Sequence, residues 1–350
     1  MSVFNVNNCM KVTFLAGFLL FFQSAFCQFD LSGLDPFLQK NLKAMGGKAI
    51  GLVWNDGKVI YQKELGEDLT IKSPVAAGHC SQWLTAALVM SLVDQSKLKL
   101  DDPIGKYLPD FKKYFKGYIT IRQCLSHTTG IERDSKIMNK ILDKKKYPTL
   151  EEAVNGIMQK EISTNPGKEF HYGVYGPALA ARVCEVVMKK PFERLIQEKI
   201  TRPLKMKVTN FIDENGNAPD PGYGAQTSAA DYLNFLIMLM NKGVFEGKRV
   251  LSEASVEEMS RSQLGDLNIA YAPPATSGFD YGLGNWIMAK DESGKARILT
   301  CPGLPGSWPI LDLCRKYAAI LLLEPKANEP KREWADTFRE IIEEAIGECE

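Results

Sequence analysis

Strand-like runs lie near both ends of this chain, and the segment between them is helical in pattern. Residues 49–54 and 58–63 are two short runs joined through Asn55-Asp56-Gly57. An Asp-Gly pair between such runs is typical of a tight antiparallel hairpin. Four more strand-like runs follow late in the chain, at residues 284–288, 297–300, 308–313 and 317–323. This order predicts one antiparallel sheet built from both termini, with a helical lobe inserted between its two parts.

The central helix has the clearest pattern of the inserted segment. Residues 83–93 are apolar almost all round, which indicates a helix in the core rather than on the surface. Further helices are predicted at residues 36–45, 119–126, 150–161, 176–189, 192–200 and 228–241, with a final one over 334–346. We therefore predict an α/β sandwich whose α/β lobe holds residues 28–77 and 229–350 and whose helical lobe holds residues 78–228. The groove between two such lobes is a common place for a ligand site.

The first 27 residues predict an export signal rather than a part of the folded domain. Lys11 precedes a short apolar run at residues 12–22, and cleavage is expected before Gln28. The run is short for a membrane span, so we expect a membrane partner only if the signal stays uncleaved. The sequence leaves open whether translation starts at Met1 or Met10. An exported protein, periplasmic or secreted, is the expectation.

The charge of the predicted mature chain is balanced. The whole sequence has 43 Lys and Arg against 42 Asp and Glu, and Lys11 is the one charged residue within the predicted signal. The small lysine cluster at residues 144–146 is more typical of a solvated loop than of a nucleic-acid surface. We therefore expect no nucleic-acid partner.

The cysteines and histidines predict no metal site. Six cysteines follow the predicted signal, an even number that permits disulfides in an exported protein: Cys80, Cys124, Cys184, Cys301, Cys314 and Cys349. Cys124 and Cys184 lie in apolar helical patterns, where a free thiol packs as a small buried apolar group. The three histidines have no ligand spacing and no C-x-x-C pair occurs, so neither a metal nor another cofactor is expected.

Several segments share a further pattern: residues 74–95, Leu98-Lys99-Leu100-Asp101-Asp102-Pro103, Ser126-His127-Thr128-Thr129-Gly130, Pro203-Leu204-Lys205-Met206 and Tyr281-Gly282-Leu283-Gly284. Together they resemble the serine β-lactamase-related family, which holds class C β-lactamases, penicillin-binding proteins, D-aminopeptidases and esterases. The resemblance spans nearly all of the predicted mature chain. It implies a β-lactamase/transpeptidase-like sandwich and a groove lined by three motifs, Ser-x-x-Lys, Tyr-x-Asn and Lys-x-Gly or His-x-Gly.

The first of these motifs is replaced in this chain. In the family, the Ser is acylated and the Lys helps to remove its proton. His79 and Gln82 occupy those two positions. A Ser-x-x-Lys does occur at Ser96 and Lys99, but it lies at the end of the central helix, where it is a chance match.

The second and third motifs are also altered. Tyr172 is retained from Tyr-x-Asn, but Val174 replaces the Asn, and aromatic packing explains the retained Tyr better than catalysis does. We align Thr300 with the cation of the third motif and Pro302 with its glycine, and a slip of one residue stays open. In either register no cation is present, and Pro302 lacks the N–H that a strand edge offers to a ligand.

The altered motifs predict a homologue without catalysis, whose groove binds a small-molecule or peptide ligand. The main alternative is relocated chemistry: Cys80 lies at a helix start, where a thiolate is stabilised, and His79 or His171 would serve as its base. Adjacent helix residues point about 100° apart, so Cys80 is expected to face away from the groove. A further alternative is a different serine, Ser81 or Ser307.

Overall fold

The computed structural model describes residues 29–131, 147–303, 306–323 and 331–349. The predicted signal, its cleavage point before Gln28 and the lysine cluster at 144–146 lie outside the described residues. The strands of the described part are β1 (Ala49–Asn55), β2 (Lys58–Leu65), β3 (Val75–Ala76), β4 (Glu169–His171), β5 (Gln226–Thr227), β6 (Val244–Phe245), β7 (Lys248–Arg249), β8 (Asn268–Tyr271), β9 (Asp280–Tyr281), β10 (Trp286–Lys290), β11 (Ala296–Thr300), β12 (Ser307–Asp312) and β13 (Tyr317–Leu323).

Seven of these strands form one antiparallel sheet in the order β2-β1-β13-β12-β11-β10-β9. The two terminal parts of the chain meet at the β1–β13 pair, where Ala49 lies opposite Leu323. The predicted sheet from both termini is therefore confirmed. Asp56 and Gly57 both have positive φ in the β1–β2 turn, which a two-residue hairpin turn requires.

Along the chain, most of the helices lie between the two groups of strands that form the sheet. They are α1 (Leu34–Asn41), α2 (Ser81–Asp94), α3 (Asp110–Lys113), α4 (Ile121–Leu125), α5 (Leu150–Met158), α6 (Tyr175–Met188), α7 (Phe192–Ile196), α8 (Ala229–Met240), α9 (Glu253–Ser260) and α10 (Arg332–Ile346). Short helical turns are formed by Gly78–Cys80, Ile104–Lys106, Gln197–Thr201 and Pro274–Thr276. The sequence patterns missed α3 and α9, which have little apolar periodicity.

The sheet is covered on both faces because its central strands alternate apolar side chains between them. Leu52 and Ile320 belong to the same buried cluster as α2 and α8. Val53 and Leu321 belong to a second cluster with α1 and α10. The terminal helices α1 and α10 thus cover one face, and α2 and α8 cover the other.

Helix α2 is the core of the inserted segment, as its apolar pattern predicts. Its residues are buried from Ser81 through Leu92. This burial matters for the site, because the side chains at the start of α2 cannot reach bulk solvent without leaving the core.

The described cysteines divide into one disulfide and four buried thiols. Cys314 and Cys349 form a disulfide that joins the β12–β13 turn to the residues after α10. Cys124 and Cys184 are free and buried, as predicted, and so are Cys80 and Cys301. In the described ranges, we find no helix with the length and apolar character needed to span a bilayer.

Candidate functional site

The candidate site lies at the start of α2, directly after the turn Gly78–Cys80. Gly78 has a φ of +56°, which glycine adopts without strain. The Ser81 hydroxyl donates to the carbonyl of Gly78 at 2.6 Å and accepts from the N–H of Ala225 at 2.9 Å. Ser81 is fully buried, so its hydroxyl holds the helix start in place and is not presented as a nucleophile.

Gln82 is fully buried, and all four hydrogen-bonding positions of its amide are occupied. Its Nε2 donates to the carbonyl of Gly173 and to His79 Nδ1, each at 3.1 Å. Its Oε1 accepts from His127 Nε2 at 2.8 Å and from the Tyr281 hydroxyl at 3.2 Å. A carbonyl can only accept, so the amide NH₂ must face Gly173, and the amide orientation is fixed. We call this set of five residues the Gln82 network.

The Gln82 network also fixes the tautomers of two histidines. Because His79 Nδ1 accepts from the amide, the neutral ring of His79 carries its proton on Nε2. His127 must donate through Nε2, since Gln82 Oε1 can only accept. Burial, together with the nearby His79 and His171, lowers the pKa of His127 to about 3, so His127 is neutral near pH 7.

The backbone around His127 explains why this ring reaches the site. His127 follows α4 and has a φ of +57°, and its carbonyl accepts from the N–H of His171 at 2.9 Å. Histidine enters this left-handed region more readily than most residues. The turn directs the imidazole inward, where it is only 4% exposed.

Aromatic rings surround the network. The His79 ring lies 5.0 Å from both Tyr172 and Tyr223, and the His127 ring lies 4.7 Å from Tyr172. Trp286 packs edge-on against Tyr281 at 4.8 Å. Burial raises the pKa of Tyr172 well above its ordinary value, so its phenol stays protonated and cannot act as a general base near neutral pH.

The outer side of the site is only partly buried. His79, Gly173, Val174 and Tyr223 are each half-buried. A Cβ placed on Gly173 would meet no atom within 4 Å, so open space adjoins the network at this point. Val174 packs against Gly222, where a Cβ added to the glycine would come within 2.8 Å of the valine Cβ. The position of the family's amide-binding Asn is therefore apolar contact surface.

The third motif is shifted by one residue from our alignment. Thr300 is fully buried, and its hydroxyl donates to the carbonyl of Pro309 at 2.7 Å, inside the sheet. Cys301 is the residue that meets the site, with its Sγ 3.3 Å from the His79 carbonyl oxygen. A Cβ on Gly303 would lie 2.2 Å from the Ala77 carbonyl oxygen, so Gly303, and not Pro302, is the glycine that close approach requires. The physical reason is the strand alternation, which turns Thr300 inward.

Cys80, the rival nucleophile, is buried within the fold. Its side chain is 1% exposed, and the thiol donates to the carbonyl of Cys301 at 2.6 Å. Burial raises the pKa of Cys80 well above its ordinary value, so the thiol stays protonated. His171 lies on β4 with its ring 5.7 Å from Tyr271, and Ser307 begins β12 opposite Leu322. Cys80 is therefore a buried thiol whose hydrogen bond goes to a backbone carbonyl and not to an imidazole.

The described residues contain no group of three or more His, Cys, Asp or Glu side chains that could hold a metal ion. His79 contacts both Gln82 and Tyr172, whereas the Thr300 hydroxyl lies inside the sheet and bonds to Pro309. Sequence reasoning missed His127 and Tyr281 as site residues. Both lie in segments that carried the family resemblance, and their position in those segments was the available signal.

The comparisons with known proteins show the family and the fold. The family model for beta-lactamases matches residues 40–341, and the chain belongs to that family. A solved structure from Bacteroides dorei, assigned as a beta-lactamase, has a TM-score of 0.82 at 28% identity and covers 91% of this chain and 100% of that chain. The family resemblance and the fold class drawn from the motifs are confirmed.

Two curated relatives come from Staphylococcus aureus. Protein flp of strain MW2 is 28% identical over 196 residues, which are 52% of this chain and 38% of flp. Teichoic acid D-alanine hydrolase is 28% identical over 188 residues, 52% of this chain and 44% of the relative. The chain therefore spans less than half the length of these relatives.

Proposed function

We propose that this protein is a non-hydrolytic member of the beta-lactamase family that binds a small-molecule or peptide ligand beside His79. The observation that carries the proposal is the saturated amide of Gln82. A primary amide does not take up a proton near neutral pH, so Gln82 cannot replace the family's Lys as a base. All its hydrogen bonds are already used to hold the surrounding elements together.

His79 is suited to donate a hydrogen bond rather than to attack a carbonyl. An imidazole attacks through an unprotonated nitrogen, and Nδ1 of His79 is already the acceptor of the Gln82 amide. The other nitrogen then carries the proton in the neutral ring. A carbonyl or carboxylate oxygen of a ligand is the matching acceptor, and the open space beside Gly173 leaves room for it.

We also propose that the protein is exported, to the periplasm or beyond the cell. The apolar run at residues 12–22 supports this, together with the disulfide between Cys314 and Cys349. Disulfides persist in oxidising compartments and are rare in the cytosol. N-terminal sequencing of the protein from fractionated cells tests the proposal: a start near Gln28 supports it, and an intact N-terminus in the cytoplasmic fraction contradicts it.

Hydrolysis is tested with a fluorophosphonate probe, a chromogenic β-lactam and D-alanine methyl ester, the last chosen for the D-alanine in the name of the S. aureus relative. The intact mass of the wild-type protein is expected to show no adduct. All three compounds should be hydrolysed no faster with the protein than in buffer alone. An adduct mapped to Cys80, Ser81 or Ser307 would replace the proposal with relocated chemistry. Turnover lost only in His79→Ala would indicate a histidine mechanism.

Binding is tested separately by the rise in melting temperature on adding D-alanine methyl ester. The matched variant is Gly173→Leu, which fills the open space beside the network without a nearby steric clash at Cβ. We expect the ligand-induced rise in the wild type and its loss in the variant. An equal rise in both proteins would place the ligand elsewhere.

The double variant His79→Ser with Gln82→Lys examines why hydrolysis is lost. It restores the family's nucleophile and base, and slow acylation by the fluorophosphonate is expected. Acylation should stay far below that of an intact enzyme, because Val174 and Cys301 supply neither the amide nor the cation of the other two motifs. Removal of one oxyanion-hole donor alone typically costs about 2.7–4 kcal/mol in other hydrolases.

A further inference from the structure

Three exposed aromatic side chains lie within five residues of one another after α3: Tyr114, Phe115 and Tyr118. We call them the aromatic tip. Their exposed fractions are 43%, 83% and 53%. In the described ranges, the other large apolar side chains with comparable exposure are scattered singly, at Val59, Ile212 and Ile269. Single exposed apolar residues are ordinary on protein surfaces, whereas a cluster indicates an interaction site.

Phe115 is held in a backbone conformation that disfavours it. Its φ is +55°, and the other nine described non-glycine residues with positive φ are all polar or charged. The N–H of Lys116 donates to the carbonyl of Phe111 at 2.9 Å, and the N–H of Phe115 donates to the carbonyl of Lys112 at 3.1 Å. These two bonds form the helix-ending motif in which glycine is the usual residue at the position of Phe115. Strain of this kind concentrates at functional sites.

The aromatic tip is presented by a rigid base. Phe111, Ile104 and Ile119 are buried beneath it. The N–H of Gly105 donates to the carbonyl of Gly117 at 2.9 Å, and a Cβ on either glycine would come within 2.7 Å of a neighbouring atom. A fixed surface of this kind loses little conformational entropy on binding.

The charge around the aromatic tip is basic. Residues 106–118 contain four lysines and one aspartate, of which Lys116 is only 6% exposed and Lys106 pairs with Asp102 at 3.0 Å. Lys112 and Lys113 are exposed beside the tip. Lys113 pairs with Asp110 at 2.7 Å, but both side chains are largely exposed, and such a pair is weak. Aromatic rings flanked by lysines are typical of surfaces that bind at a membrane–water interface.

We propose that the aromatic tip docks on a membrane surface that carries anionic lipid headgroups. Phe115 enters the boundary between headgroups and acyl chains, Tyr114 and Tyr118 lie at headgroup level, and Lys112 and Lys113 face the phosphates. The proposal is independent of what the groove beside His79 binds.

Vesicle flotation tests the proposal, with vesicles of phosphatidylcholine alone and of phosphatidylcholine with an equal amount of phosphatidylglycerol. We expect the protein to float with the anionic vesicles in preference to the neutral ones. Phe115→Gly should weaken that binding about tenfold, the loss expected for one phenyl group no longer buried. Its melting temperature should equal or exceed that of the wild type, since glycine fits the left-handed backbone. Lys112→Glu should weaken binding to the anionic vesicles only.

The matched control is Ile269→Ser, which removes an exposed apolar side chain elsewhere on the surface and should leave flotation unchanged. All variants keep the same N-terminus, so any binding by the apolar run at residues 12–22 is common to them. The proposal is overturned if Phe115→Gly floats like the wild type, or if Ile269→Ser loses as much binding. It is also overturned if sedimentation without lipid shows self-association that Phe115→Gly abolishes, because the tip would then contact a second copy.

Discussion

Gln82 and Asp231 are both buried polar side chains near the start of a helix, one within the candidate site and the other outside it. Asp231 accepts three hydrogen bonds, from the N–H groups of Val208 and Thr209 and from the Thr209 hydroxyl, at 2.8–3.0 Å. These bonds join the loop at Val208 and Thr209 to α8. Gln82 makes four bonds and joins α2 to residues from three other parts of the chain.

The likeness between the two residues is informative because only Gln82 stands where the family has a catalytic base. A base needs an unshared electron pair that is available to a proton, and Gln82 offers none beyond those already in use. Gln82 is therefore, like Asp231, a buried polar group whose hydrogen bonds are satisfied by its neighbours. The following predictions test how far this likeness extends.

The largest effects are expected when either side chain is truncated. Asp231→Ala leaves three donors without their charged acceptor and should lower the free energy of unfolding by about 3–5 kcal/mol. Gln82→Ala leaves neutral groups unsatisfied and should cost about 2–3 kcal/mol. Chemical denaturation measures both, and the exposed Gln62→Ala serves as the control, expected to stay within about 0.5 kcal/mol. Unchanged stability in Gln82→Ala would break the comparison.

The pH dependence of stability tests the neutral state of His127. Its pKa is depressed from the ordinary 6.5 to about 3 by burial, so below pH 6.5 the unfolded chain takes up a proton that the folded chain does not. Above pH 6.5 the full contribution of the neutral His127 to the free energy of unfolding is present. That free energy falls as the pH drops from 6.5 toward 3, by up to about 1.4 kcal/mol per pH unit. Denaturation of His127→Gln at several pH values should show a shallower slope in this range. Equal slopes would contradict a neutral buried His127.

A smaller effect is expected from Tyr281→Phe, which removes one of the two donors to Gln82 Oε1. The free energy of unfolding should fall by about 1 kcal/mol, the typical net worth of one hydrogen bond. In the Gln82→Ala background the same change should cost less, because one of the two partners of the hydroxyl is gone and only His127 Nε2, at 3.0 Å, remains. Additive effects would mean that Tyr281 acts through His127 or through its packing against Trp286 instead.

Much of the fold could be predicted from the sequence because its strands and helices carry strong periodic patterns. The Asp56-Gly57 turn predicted the β1–β2 hairpin, and the apolar run of α2 predicted its burial. Short elements such as α3 were missed, since its four residues place only Phe111 in the core. Helix and strand ends shifted by one to a few residues, because they are set by local caps, such as the two reciprocal hydrogen bonds between Thr120 and Gln123 at the start of α4.

The candidate site was less predictable because it depends on contacts across the fold. The replacement of Ser and Lys by His79 and Gln82 is visible in the sequence. The bonds from Gln82 to His127 and Tyr281 span 45 and 199 residues, and no local pattern encodes them. The placement of Cys301, and not Thr300, at the site has a similar origin. The face of the sheet on which a strand residue lies depends on its register with the neighbouring strands.

The central claim is that the Gln82 amide occupies Nδ1 of His79, so that the neutral ring carries its proton on Nε2 and has no unprotonated nitrogen left to act as a nucleophile. Long-range ¹H–¹⁵N spectra of the imidazole rings report it directly, because the chain has three histidines and the variant His79→Ala assigns one of them. We predict that His79, when neutral, shows an unprotonated Nδ1 and a proton on Nε2, and that His127 is neutral with its proton on Nε2. A neutral His79 with its proton on Nδ1 would expose a nucleophilic Nε2 and contradict the account.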